Sequence, residues 1–247
     1  MKKYKINPDY ETSFKDFTLN IKNYFYNNAN TIHKARNELK IISHNTLETI
    51  VKSFRIPNIF NQIIYSFFRE SKAKKSYDYS LKIAHFTPQP IAYIEFYSFF
   101  LLKESYFISE KFDYDFTIRE PLLEKNFEDK EEIFRAFSRF TLELHNEGIF
   151  HNDYSPGNIL IKKEGAKYTF KIVDINRMKF FKLNQIDRAK NFSKLWASDD
   201  ILKIMAEEYA KNYQCDANFT DQVLMFSNKN KKIKNFKKRL KGKPVND

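Results

Sequence analysis

The chain has 247 residues, 42% of them hydrophobic, enough for one large domain or two modest lobes around a real core. Its 43 basic and 31 acidic residues leave a formal charge of +12, which favours an anionic partner such as a nucleotide, an anionic lipid, lipopolysaccharide or nucleic acid. Cys215, the single cysteine, excludes an intrachain disulfide and a cysteine-built zinc site.

The start, MKKYKINPDYE, is charged with no apolar stretch behind it, so no signal peptide is expected. The longest apolar run, near Phe99–Leu102, is far too short for a membrane span. The expected location is the cytoplasm, or the cytosolic face of a membrane. The 26 Phe and 15 Tyr sit among Ile and Leu at core-like spacing, so they read as core rather than as stacking platforms, and no nucleic-acid partner is expected.

Residues 1–30 carry few clear signals. Thr31–His33 and Glu38–Ile42 read as short strands joined by a turn at Ala35, Arg36 and Asn37, and Thr46–Phe54 alternates as a third strand. After Pro57, Phe60–Ile83 reads as one long helix with a basic middle at Arg69–Lys75. Thr87-Pro88-Gln89-Pro90 is a loop, followed by a strand pair at Ile91–Tyr97 and Ser105–Glu110. Beyond Phe112 the character changes. Asp129–Asn146 is an amphipathic helix with Ile133, Phe137, Phe140, Leu142 and Leu144 near its apolar stripe, and Gly148 ends it. The loop HNDYSPGN leads into a hairpin, Ile159–Lys162 and Phe170–Val173, turning at Glu164-Gly165. From Gln185 onward helices precede a basic tail, Lys229–Lys243. The expected fold class is α+β. A small β-rich N-lobe with one long helix covers residues 1–111, and a compact, mainly helical C-lobe covers residues 112–247.

Leu144–Ile161, LHNEGIFHNDYSPGNILI, sets His151, Asp153 and Asn158 at the offsets H-x-D-x-x-x-x-N, between the end of a helix and a strand. A second strand then ends in Asp174. This joint pattern resembles the catalytic loop of protein-kinase-like enzymes, with Asp174 at the aspartate of the D-F-G motif, although Ile175 and Asn176 replace its Phe and Gly. Phosphoryl transfer needs in-line placement of an oxygen nucleophile and neutralisation of triphosphate charge. Mg²⁺ is a hard ion that wants oxygen ligands, which Asp174 and Asn158 supply. Asp153 is the expected catalytic residue, orienting the acceptor hydroxyl and taking its proton late. His151 reads as a structural loop residue.

The resemblance also implies roles for the N-terminal half. Lys52, on the third strand, stands where this fold keeps the lysine of the α/β-phosphates. Its acidic partner is Asp78 or Glu70, with Asp78 preferred from its interval before the strand at Ile91. Glu110 and Phe112, at the junction of the lobes, are expected to hold the nucleotide. The four glycines are Gly148, Gly157, Gly165 and Gly242, so the first hairpin lacks the glycine-rich phosphate loop, and Lys34 and Arg36 are the side chains expected to compensate.

Asn152 replaces the arginine that reads a phosphorylated activation loop, and Ser155 stands where Ser/Thr protein kinases carry a lysine. About seventy residues follow Asp174, and they contain no A-P-E motif. HNDYSPGNIL with VDINRMKF resembles the bacterial lipopolysaccharide core kinases, the Kdo/heptose kinases, in layout over Thr31–Lys190 and most specifically at those two motifs. That resemblance implies transfer of the γ-phosphate of ATP, with Mg²⁺, to a sugar hydroxyl of the inner core at the cytosolic face of the inner membrane. The tail at 229–243, with Phe236 and Leu240 among its lysines, suits an anionic membrane, the acidic glycolipid, or solvent. Arg177 and Lys179 face either acidic substrate groups or solvent. Three other readings stay open: an atypical protein kinase or ATPase of the RIO type, a pseudokinase that binds without turnover, and an aminoglycoside-type phosphotransferase.

Overall fold

The structure, a computed structural model, describes residues 1–34, 37–54, 58–242 and 244, with the side chains of residues 33, 34, 59–61 and 67 left out. The turn expected at Ala35 and Arg36, Pro57, and the Lys34 and Arg36 side chains lie outside the described residues. The chain divides into two units, Met1–Asp113 and Tyr114–Asp247.

The first unit holds β1 (Lys2–Ile6), α1 (Glu11–Leu19), α2 (Ile21–Asn27), β2 (Thr31–Lys34), β3 (Asn37–His44), β4 (Leu47–Phe54), α3 (Ile59–Phe67), α4 (Lys72–Lys82), β5 (Pro90–Ser98) and β6 (Leu101–Glu110). Its strands form one six-stranded antiparallel sheet in the order β1-β5-β6-β4-β3-β2. Residues 1–30, poor in signals, supply an edge strand and two helices. β1 pairs with β5, a partner some ninety residues away in sequence that no local pattern announces. Phe14, Phe17, Ile21 and Phe25 of α1 and α2 pack on Ile42, Val51, Ile94 and Ile108, covering one face of the sheet.

The opposite face carries Phe54 and Tyr93 against Ala73 and Tyr77 of α4. Strand side chains alternate, so Lys52 shares this face with Phe54. The long helix expected over Phe60–Ile83 is in fact two. Ser71 caps α4 by accepting a hydrogen bond from the Lys74 N–H at 3.0 Å, and a serine cap of this kind starts a new helix rather than continuing an old one. Glu70 therefore precedes α4 instead of lying on it. The β5–β6 turn is Phe99-Phe100, with φ of +48° and +63°. Such two-residue turns normally draw Asn or Gly, so the turn was not visible in the sequence.

The second unit holds β7 (Phe116–Thr117), α5 (Arg119–Leu123), α6 (Lys130–Asn146), β8 (Ile149–Phe150), β9 (Ile159–Glu164), β10 (Lys167–Ile172), β11 (Lys179–Phe180), α7 (Gln185–Phe192), α8 (Asp199–Asn212) and α9 (Phe219–Arg239). It is mainly helical, with two small antiparallel sheets, β10-β9-β7 and β11-β8. α6 starts with Glu131 and Glu132 in its first turn, where carboxylates suit the positive end of the helix dipole. It buries Ile133, Phe134, Phe137, Phe140 and Leu144, and Phe140 stacks on Phe170 of β10 at 5.2 Å between centroids. Gly148 ends the helix segment at φ +72°, and a Cβ there would stand 2.8 Å from the Phe181 carbonyl oxygen.

The basic tail is not a separate segment. As far as Arg239 it is the C-terminal half of α9, whose first turns bury Phe219, Val223 and Ser227 at i, i+4 and i+8. Asn230 Nδ2 donates to the Ser193 carbonyl at 2.7 Å and Lys231 Nζ to the Ala197 carbonyl at 2.7 Å, which holds the helix down. Among the described residues no helix is long and apolar enough to cross a membrane.

Candidate active site

The loop after β8 is tied together by His151. The imidazole is buried; its Nδ1 accepts from the Asp153 backbone N–H at 3.1 Å, and its Nε2 sits 3.0 Å from the Val173 carbonyl. The first contact makes Nδ1 an acceptor, so the proton is on Nε2 and is donated to Val173. Burial lowers the pKa of His151, opposed by the Val173 carbonyl and the charges of Asp153 and Asp174, so the ring is neutral with both nitrogens engaged. It cannot serve as a general base without breaking one of these bonds.

Asn158 makes the second tie. Its Nδ2 donates to the Asp153 carbonyl at 2.9 Å, and its own carbonyl accepts from the Val173 N–H at 2.9 Å. The amide N–H group is thus spent inside the loop, and Oδ1 is left as the acceptor. Asp174, next after Val173, has φ +58° and ψ 44°, a left-handed conformation that aspartate tolerates better than most residues. Its Oδ1 accepts from Asn176 Nδ2 at 2.8 Å. Asn176, two residues past the aspartate, is a partner the sequence reading did not name.

The structure therefore bonds Asn158 directly to Asp153 and holds Asp174 next to them through the Val173 N–H, which donates to the Asn158 carbonyl. The carboxylate of Asp153 makes no hydrogen bond or ion pair among the described residues. The half-buried oxygen donors of Asn158 and Asp174 fit a hard divalent cation. No cluster of three or more His, Cys, Asp or Glu side chains able to hold a metal occurs among the described residues. Mg²⁺ does not require one, because it keeps waters and phosphate oxygens around one or two protein ligands.

A buried polar relay supports the loop from behind. Asn191 of α7 donates from Nδ2 to the His151 carbonyl at 2.9 Å. Its Oδ1 lies 3.0 Å from His145 Nε2, so that nitrogen carries the proton and donates. His145 Nδ1 then accepts from the Tyr209 hydroxyl at 2.9 Å, and that hydroxyl accepts from Arg188 Nη1 at 2.8 Å. Every donor in the chain has one acceptor, and burial holds the His145 pKa down to about 3. Sequence reasoning missed Arg188, Asn191 and Tyr209. The only signal was His145 itself, a polar residue on an apolar helix stripe.

In the first unit, Lys52 Nζ lies over the Phe54 ring at 5.4 Å, on the sheet face that α4 covers. Both carboxylates considered as its partner are engaged by Lys74. Asp78 is 3.2 Å from Lys74 Nζ, and Glu70 binds the same ammonium, which these contacts raise above the ordinary lysine value, Glu70 most of all. Glu110 ends β6 opposite Thr49 and accepts from the Tyr10 hydroxyl at 2.6 Å. Phe112 is half-buried, next to a Lys111 whose ammonium is 2.7 Å from Glu48.

No family model matches the chain, and no curated protein matches it. Solved structures do. Over 92% of this chain and 99% of the other, it superposes on WaaP in complex with acyl carrier protein, with a TM-score of 0.58 and 12% identity. The chain has the protein-kinase-like fold. The Rio2 kinase–ADP/Mg²⁺–phosphoaspartate complex from Chaetomium thermophilum also aligns, with a TM-score of 0.47 and 13% identity over 81% of this chain and 61% of that one.

Proposed function

We propose that this protein is an ATP-dependent phosphotransferase that moves the γ-phosphate to a sugar hydroxyl, Kdo or heptose, of the lipopolysaccharide inner core. The observation that carries the reading is the constellation of Asp153, Asn158 and Asp174, fixed by His151 and Val173. Asn158 Oδ1 and the Asp174 carboxylate would hold Mg²⁺, which when bound neutralises triphosphate charge. Lys52 serves the α/β-phosphates, and Glu110 and Phe112 the rest of the nucleotide.

Asp153 accepts a hydrogen bond from the acceptor hydroxyl, aims its oxygen at phosphorus and takes the proton as the new bond forms. Its unengaged carboxylate suits that task. The neutral, doubly bonded His151 holds the loop and moves no proton.

The choice of a saccharide over a protein acceptor rests on Asn152. Its Nδ2 donates to the Arg177 carbonyl at 2.6 Å and staples the loop to the short segment after Asp174. Only Met178–Asn184 separates that segment from α7, leaving no room for a long activation loop. Acceptor access at the cytosolic face of the inner membrane belongs to the same reading.

The test is incubation with Mg²⁺, γ-labelled ATP and deacylated or intact lipopolysaccharide core, beside Asp153→Ala. Label on the sugar that vanishes in the variant supports the reading. Labelling of protein instead, or ATP binding without transfer to any core acceptor, overturns it.

A further inference from the structure

α9 lies against the segment Ser193–Ala197 that follows α7. The ammonium groups of Lys234 and Lys238 lie over the Trp196 ring, 5.1 and 5.6 Å from its centroid. Trp196 itself has φ +59°, a left-handed conformation that is an outlier for a bulky residue. It is kept there because its neighbours Leu195 and Ala197 are buried and α9 is pinned on both sides of it through Ser193 and Ala197. Strain of this kind persists only where the surroundings over-determine it, and it marks functional positions. Its result is a half-buried indole that gathers two ammonium groups.

A third cation, Lys194, lies two residues before Trp196 on the same segment. The Lys234 ammonium is depressed first by desolvation, then by Lys194, and also by Lys238, while Asp153 pulls it the other way. The segment under Trp196 follows α7, whose Asn191 donates to the His151 carbonyl at 2.9 Å, and α9 is bonded to it through Asn230 and Ser193 at 2.7 Å, so these cations stand on elements tied to the loop of Asp153. Among the described residues none of Lys194, Lys234 and Lys238 makes an ion pair, although Lys231 on the same helix has Asp199. Cations gathered without an ion pair are unfavourable in the free protein and become favourable when an anion enters between them.

We propose that Lys234 and Lys238 over Trp196, with Lys194 on the segment that leads from α7 to it, form the acceptor subsite that takes an anionic group of the saccharide, a carboxylate or a phosphate. This deepens the phosphotransfer reading and rests on it for the identity of the acceptor. It also gives the basic helix a specific task, distinct from general attraction to an anionic surface. The anionic group would lie near the hydroxyl that Asp153 addresses, so a neutral sugar of the same shape would be a poor acceptor.

The test is direct binding of deacylated inner-core oligosaccharide to the full-length protein by calorimetry at low salt, without nucleotide. Its arms are the intact, the carboxyl-reduced and the dephosphorylated saccharide. The variants are K234Q/K238Q and K194Q, with K232Q/K237Q as a control that removes equal charge from the same helix. The expected result is at least about tenfold weaker binding for K234Q/K238Q, with the control within about twofold. The neutralised arm that reproduces this loss in the wild-type protein identifies carboxylate or phosphate. Equal losses in the cluster and the control variants, no loss in the cluster variants, or no binding by the wild-type protein each overturn the proposal. Label transfer from ATP is measured in parallel. Its absence with lysine-dependent binding intact overturns the phosphotransfer reading and leaves the anion site standing.

Discussion

The Nε2–H of His151 meets the carbonyl of Val173 at 3.0 Å, tying the loop that carries Asp153 to the residue before Asp174. This bond fixes the separation of two carboxylates that come from different segments and would otherwise repel. The expected division of labour is sharp. Asp153→Asn should lower kcat by roughly 10²–10⁴-fold while leaving ATP binding and thermal stability unchanged, because its carboxylate has no partner to lose. Asp174→Asn should instead raise the Mg²⁺ concentration needed for nucleotide binding. Single-turnover transfer and Mg²⁺-dependent nucleotide titration separate the two, and equal effects on both readouts would refute the assignment.

Two buried neutral histidines predict a pH dependence of stability. Burial lowers both, with His145 held at about 3 against an ordinary 6.5. In the unfolded chain both bind a proton near 6.5, and in the folded chain they do not. Their contribution is therefore complete above pH 6.5 and is lost as pH falls below it. Each adds a slope of up to about 1.4 kcal/mol per pH unit. Denaturant midpoints at constant ionic strength should fall between pH 6.5 and 5, above the range where carboxylates titrate. A flat profile there would mean that the imidazoles are protonated or exposed.

The elements around the proposed catalytic loop were legible because they are close in sequence and each has a local signature. The helix ending at Gly148, the H-x-D-x-x-x-x-N spacing and the β9–β10 hairpin all sit within thirty-odd residues. What stayed hidden depends on distant partners. β1 finds β5 across the whole N-terminal sequence, and α1 and α2 are recognisable only by the sheet face they cover. The break at Ser71 was lost inside an apolar and basic run, since one serine outweighs neither pattern until its side chain is seen capping Lys74. Asn191, Arg188 and Tyr209 sit on ordinary amphipathic helices, and nothing local says that their polar ends meet His145.

That relay gives a prediction of its own. Asn191→Ala removes the donor to the His151 carbonyl and the acceptor of His145, leaving two buried polar groups unmatched. The cost should be roughly 2–4 kcal/mol of stability. The rate should fall as well, because Asn191, itself buried, holds the loop through the His151 carbonyl. Asn191→Leu separates packing from polarity. If it restores stability without restoring kcat, the relay positions the loop; if it restores both, Asn191 serves only to fill space.

Gly148 combines a left-handed backbone with a close backbone neighbour. Its φ of +72° disfavours any residue with a Cβ, and that Cβ would stand 2.8 Å from the Phe181 carbonyl oxygen. The same carbonyl belongs to a residue whose N–H bonds back to the Gly148 carbonyl at 2.9 Å, so the two chains cannot simply part. Gly148→Ala should therefore cost more than the roughly 1 kcal/mol of left-handed strain alone. It should shift β8 and β11, which bracket the loop through Phe150 and Lys179. The expected outcome is a loss of at least about 2 kcal/mol in chemical denaturation with a drop in kcat. Gly165→Ala is the control, because it has a similar φ of +63° but nothing within 4 Å of the added carbon. Equal losses at the two sites would show that dihedral strain, and not the Phe181 contact, sets the cost.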